Sequence, residues 1–238
     1  MRVLAVLCVL LMAAPAMAEV STALPTSGEL TLSTYNSVSG EITPGMGGPR
    51  GTSIYADLVT SGSYINQGTT ATYPLPVGDD LHATGGGTVT AFQMGYYIPG
   101  TIGTYNITYT FWPGDATDSD PPGYGGAASI ASYLLTGLPA GANAFNVTGV
   151  SVPVGADFYI ECDFAGNGIA TGGPLITDNS GGTVGYSHNY FTQTGSLWSF
   201  GGTNPPWADF YLGADIVPEP TTMGLLALGG LLALRRRK

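Results

Sequence analysis

Basic residues are nearly missing from this chain. Lysine and arginine number six in 238 residues, and four of the six are the last four positions, Arg235, Arg236, Arg237 and Lys238. Arg2 and Arg50 are the other two. Between Glu19 and Val217 one arginine therefore stands against fifteen acids, a formal charge of −14. So acidic a body repels phosphate backbones and anionic lipid, which excludes nucleic acid as a partner and favours solubility. Cysteine is as scarce, with Cys8 and Cys162 only. Cys8 sits in an N-terminal stretch expected to be removed, so Cys162 is left without an intramolecular disulfide partner. His82 and His188, the two histidines, lack metal-ligand spacing. Helical periodicity is missing from the body, as are a Gly-x-Ser-x-Gly elbow and a glycine-rich loop leading into a helix.

What is present is strongest at the two ends. "MRVLAVLCVLLMAAPAMAEV" carries one positive charge at Arg2, an apolar run from Val3 to Ala14, Pro15, and then Ala16-Met17-Ala18 before Glu19. That order is a secretory signal peptide over residues 1–18, with Ala16 and Ala18 as the small residues at a cleavage site after Ala18. Export is therefore expected.

At the other end, Met223 to Leu234 are apolar or glycine, and Thr221 and Thr222 extend the run to fourteen residues. As a helix this is roughly 21 Å long, against a hydrocarbon core of about 30 Å. Such a transmembrane helix can lodge in a bilayer but is a poor permanent anchor. The Arg235–Lys238 cluster is expected to stay on the cytoplasmic side. Before the run stands Pro218-Glu219-Pro220, stiffened because both prolines fix φ and hold their predecessors extended.

The stretch from Val217 to Lys238 resembles the PEP-CTERM sorting signal: a Pro-Glu-Pro motif, a short apolar helix and a basic cluster. The resemblance implies recognition of Pro218, Glu219 and Pro220 by exosortase, a membrane-embedded cysteine transpeptidase of Gram-negative bacteria that make exopolysaccharide. Cleavage near the motif would release the body to the cell surface or the biofilm matrix.

Residues 19–216 read with a period of two. In "YNITYTF" Tyr105, Ile107, Tyr109 and Phe111 share a face. In "DFYIECDF" Phe158, Ile160, Cys162 and Phe164 are expected inward, with Asp157, Tyr159, Glu161 and Asp163 outward. "ADFYLGADI" alternates similarly from Ala208 to Ile216. Further strands are expected at Glu29–Val38, Ser53–Thr60, Thr69–Leu75, Thr88–Ile98, Ser129–Leu135, Phe145–Val152, Thr183–Phe191 and Ser196–Phe200. Turn residues punctuate them. The fold class is all-β: an antiparallel two-sheet β-sandwich, jelly-roll-like. Only "SIASYLLTGL", Ser129 to Leu138, also has the spacing of a helical turn. Pro76–Leu81 and Pro153–Phe158 echo one another and could mark equivalent corners of two halves. The body also loosely resembles the β-sandwich ectodomains found ahead of PEP-CTERM tails.

Several residues carry candidate chemistry. Glu161 and Asp163 lie on one strand face, roughly 7 Å apart. Laminarinase-type sandwich hydrolases place Glu-x-Asp-x-x-Glu there, but Gly166 stands here where the last acid belongs, and a solvated acidic face is the simpler reading. Asp115, Asp118 and Asp120 crowd one loop and offer hard oxygen ligands for Ca²⁺, the one cofactor considered, although EF-hand spacing is absent. Trp198 and Trp207 lie near turns and could stack on sugar rings, as could Trp112. His82 follows Asp79-Asp80 and could contribute to a polar loop, though a structural role is the simpler reading, and Cys162 reads as a buried, inert thiol.

These features lead to a non-enzymatic exported surface or matrix protein with no catalytic residues. Two alternatives stay open: a lectin-like module that binds extracellular polysaccharide, and a glycoside-active enzyme.

Overall fold

The computed structural model describes residues 21–23, 30–45, 51–65, 76–100, 104–114, 127–164, 172–177, 184–187, 190–194, 197–201 and 209–217. These form two sheets, between which the chain passes repeatedly. The first sheet takes β1 (Ser21–Ala23), β2 (Thr31–Asn36), β3 (Ile42–Pro44), β4 (Thr52–Asp57) and β5 (Thr60–Ile65). The chain crosses for β6 (Val77–His82) and returns for the long β7 (Gly87–Ile98). It crosses again for β8 (Thr104–Pro113) and β9 (Ala131–Pro139), then returns for β10 (Gly141–Val154). Next come β11 (Asp157–Asp163) in the second sheet and β12 (Gly173–Thr177) in the first. Strands β13 (Tyr190–Thr194) and β14 (Leu197–Gly201) extend the second sheet, and β15 (Leu212–Val217) closes the first. The larger sheet runs β1-β5-β12-β7-β10-β2-β3, with β15 also on β7 and β4 outside it. The smaller runs β14-β13-β6-β11-β8-β9.

This is the expected all-β, two-sheet, jelly-roll-like sandwich, with one departure from the antiparallel pattern. β2 pairs parallel with β10, from Thr31↔Asn143 to Asn36↔Thr148. Strands this far apart in sequence are joined by no hairpin, so nothing forces them to run in opposite directions.

The sheets meet through aromatic side chains. Phe92 of β7 lies 5.4 Å, ring centre to ring centre, from Phe111 of β8, edge-on at 80°, and 5.5 Å from Tyr109. Tyr96 stacks on Phe145 at 5.9 Å within the larger sheet. Two tyrosines keep their hydroxyls paired while burying their rings, as buried tyrosines usually do. The Tyr35 hydroxyl accepts the Thr136 N–H at 3.0 Å, and the Tyr96 hydroxyl donates to the Pro139 carbonyl at 2.9 Å. Both bonds tie the larger sheet to β9.

β9 settles the ambiguity in "SIASYLLTGL": it is strand from Ala131 onward, with no helical turn. Thr136 and Gly137 together oppose Asn106, a bulge that shifts the register between Tyr105↔Leu138 and Ile107↔Leu135. Gly137, at φ 72°, takes the left-handed conformation that this bulge requires. Leu135 and Leu138 are thereby both fully buried although three residues apart, while Leu134 is exposed. A three-residue apolar spacing in a bulged strand imitates a helical turn.

The Pro76/Pro153 echo is not a pair of equivalent corners. Val77–His82 is strand along its whole length, whereas Gly155 and Ala156 form the turn between β10 and β11. The second segment instead ends beside the first, with Leu81 opposite Phe158 in the antiparallel pairing of β6 and β11.

Phe158, Ile160, Cys162 and Phe164 all point into the core, as the alternation predicts. Burial pushes the Cys162 thiol well above its ordinary range, with Glu161 and Asp163 adding to the rise. A body cleaved after Ala18 is therefore expected to resist a disulfide-exchange reagent while native and to react in full on unfolding in urea. Rapid labelling of the folded protein would show that β11 is in the wrong register.

Candidate functional site

β11 is flanked by β6 and β8, so its outward side chains are covered from both sides. Tyr159, opposite Trp112 and Asp80, is buried, and so is Glu161, opposite Thr110 and Gly78. The expected solvated acidic face is thus corrected: Glu161 is 8 % exposed and Asp163 half-buried. The half-buried Trp112 donates its indole N–H to Glu161 Oε2 at 2.6 Å. Desolvation raises the Glu161 carboxyl to about 7, the Trp112 bond opposes the rise, and the neighbouring Asp163 adds to it. A carboxyl that holds its proton near neutrality beside a second acid is a proton donor in chemical terms. Gly166, where the hydrolase pattern wants its third acid, lies outside the described residues.

The same face of β6 carries His82. It is buried within a strand and not in a polar loop, which agrees with the structural role favoured for it. Its Nδ1 is 2.8 Å from Asp157 Oδ1 and its Nε2 is 3.4 Å from Asp80 Oδ2. Tyr186 stacks on the ring at 4.5 Å and bridges the His82 backbone. This pairing orients the imidazole firmly and leaves it little room to act on anything else.

The inner face of β6 holds a group that alternation does not reveal. Asp79 is opposite Ile160 and points between the sheets, fully buried. Its Oδ2 accepts the Phe210 N–H at 2.8 Å, and its Oδ1 is 2.6 Å from Ser187 Oγ. Asp57 accepts from Thr177 Oγ1 at 2.8 Å, and Asp209 lies buried beside them. Burial raises Asp79 well above the carboxylate range, helped by Asp209 and Asp80. It raises Asp209 to about 7, helped by Asp57 and Asp80. "VGDDLH" and "WADF" contain all the residues involved except Asp57, Thr177 and Ser187. A doubled acid inside an otherwise apolar strand was the available signal.

Among the described residues no three His, Cys, Asp or Glu side chains are arranged to hold a metal ion. The Ca²⁺ candidates Asp115, Asp118 and Asp120 lie outside those residues, as do Trp207, Ala16, Ala18, Pro218-Glu219-Pro220 and Arg235–Lys238. Trp198 is on β14, its backbone opposite Gln193. Among the described residues no helix is long and apolar enough to cross a membrane.

The last described strand, β15, ends at Val217, and Pro218 follows with no spacer. There the comparisons with known proteins become specific. The PEP-CTERM protein-sorting motif matches residues 217–238. This chain carries that sorting motif, which implies an exported protein recognised by an exosortase at the membrane. No curated protein and no solved structure matches the chain.

Proposed function

We propose that the protein is a non-enzymatic component of the cell surface or extracellular matrix, delivered there by exosortase processing of its C-terminal tail. The observation that carries this reading is the junction at Val217. A buried inner strand passes directly into the sorting motif, so one cut beside Pro218 separates a self-contained sandwich from everything membrane-directed. The polar side chains of the sandwich support a structural role, since His82, Asp79 and Glu161 are each buried and hydrogen-bonded within the protein. The test is fractionation of an exosortase-bearing host with intact-mass measurement. The body is expected in the surface or matrix fraction, starting at Glu19 and ending near Val217, with any adduct visible as added mass. A full-length C-terminus through Lys238 in that fraction would defeat the proposal.

A lectin-like reading has one observation in its favour. Trp112 remains partly exposed beside Glu161, an aromatic ring next to a carboxyl, as sugar sites use. Binding on a glycan array that is lost in Trp112→Ala would replace the first reading with this one.

A further inference from the structure

Asp79 is one of the points at which a side chain of the smaller sheet grips the larger one, as Tyr133 does through the Ser151 N–H. Its Oδ2 holds the backbone N–H of Phe210, which bridges to Ile176 of β12 and leads into β15. Its Oδ1 and Asp80 Oδ1 both contact Ser187 Oγ, at 2.6 and 2.9 Å. A serine hydroxyl has one proton to donate, and an ionised carboxylate can only accept. With both acids ionised, one proton would have to serve two acceptors. With the Asp79 carboxyl protonated, Asp79 donates to Ser187, and the Ser187 proton is freed for a neighbouring carboxylate.

The described surroundings offer no lysine or arginine to replace that proton. Asp79 and Asp209 are faced by Asp57 and Tyr55 from β4, by Asp80 on β6 and by Cys162 on β11. His82 lies on the far side of Asp80 and is bonded to Asp157. Ser187 also hydrogen-bonds Asp209 and opposes its rise, but Asp209 Oδ1 and the Tyr55 hydroxyl, both buried, have no hydrogen-bond partner among the described residues, so ionising Asp209 would leave a buried charge only partly met.

We propose that Asp79 and Asp209 form a proton-held latch between the two sheets, closed while both carboxyls carry protons and loosened when they ionise. The direction of the pH dependence follows. Both groups hold protons more tightly folded than unfolded, so the stability they contribute is full below about pH 4. It declines as pH rises through the folded value of about 7 for Asp209 and on through the still higher one of Asp79.

The experiment is thermal unfolding of the purified full-length protein between pH 4.5 and 8.5, with chelator present and again with added Ca²⁺. Tm is expected to fall by roughly 5–10 °C across the range. Asp79→Asn keeps an acceptor for Phe210 and a donor for Ser187, so it should flatten the profile and match or exceed the parent at pH 8. Asp209→Asn should flatten it further. Glu161→Gln removes only the titration of Glu161, which lies outside the latch, and should leave most of the slope. A parent Tm that rises with pH would overturn the latch. So would a slope abolished by Glu161→Gln alone, a loss of stability in the Asn variants at pH 8, or a large stabilisation by Ca²⁺. If the Asn variants fail to fold at pH 8, that outcome also counts against it, because a neutral side chain should suffice.

Discussion

Replacing Pro218-Glu219-Pro220 by three alanines is expected to abolish release, leaving nearly all of the protein in the membrane fraction with Arg235–Lys238 still attached. The apolar run Met223–Leu234 is some 9 Å short of the hydrocarbon core even when extended by two threonines, so it suits a temporary stay. The prolines restrict the chain just outside, which lowers the entropy lost when an enzyme grips it. Alanine removes that restriction, so the segment offers an enzyme a less preorganised grip. The comparison belongs in paired hosts, with and without an exosortase, read by fractionation and by mass of the C-terminal peptide. Equal release of parent and variant in the exosortase-bearing host would reduce the motif to a linker. The junction sharpens the expectation. β15 is held between β4 and β7, so the motif cannot borrow slack from the body without breaking sheet hydrogen bonds.

The all-β class was legible because strands β8 and β11 alternate cleanly: Ile107, Tyr109 and Phe111, then Phe158, Ile160 and Cys162, occupy the core as their period of two requires. What alternation cannot report is how well the other face is covered. Tyr159 and Glu161 occupy outward positions and are buried all the same, because β11 is an inner strand with Trp112 and Asp80 across from Tyr159. Bulges were equally hidden. Thr136-Gly137 in β9 turned a strand's apolar spacing into that of a helix. The acids Asp57, Asp79 and Asp209 stand far apart in the chain, and pairing across two sheets brings them together. No local pattern carries that information. The sorting motif was legible because its signal is local: a motif, a length and a charge cluster, with no tertiary contact needed.

The sandwich itself should be most sensitive at Phe92. Its ring is fully buried, at the middle of β7, and meets Phe111 and Tyr109 from the opposing sheet. Removing it in Phe92→Ala takes away apolar area from both sheets at once and leaves a cavity that stiff neighbours close only in part. β7 is hydrogen-bonded to β10 on one flank and to β12 and β15 on the other, so it cannot move inward to fill the space. The expected loss is about 3–5 kcal/mol, which for a domain of this size lowers Tm by about 10 °C or more. Urea unfolding should show a lower midpoint with an unchanged slope, since the surface exposed on unfolding is nearly the same. Leu134→Ala is the matched comparison. Leu134 is 60 % exposed on β9, and its removal should change stability by less than about 0.5 kcal/mol. If the two variants lost similar stability, Phe111 and Tyr109 would not be packing against Phe92, and the two sheets would not face one another in the register described.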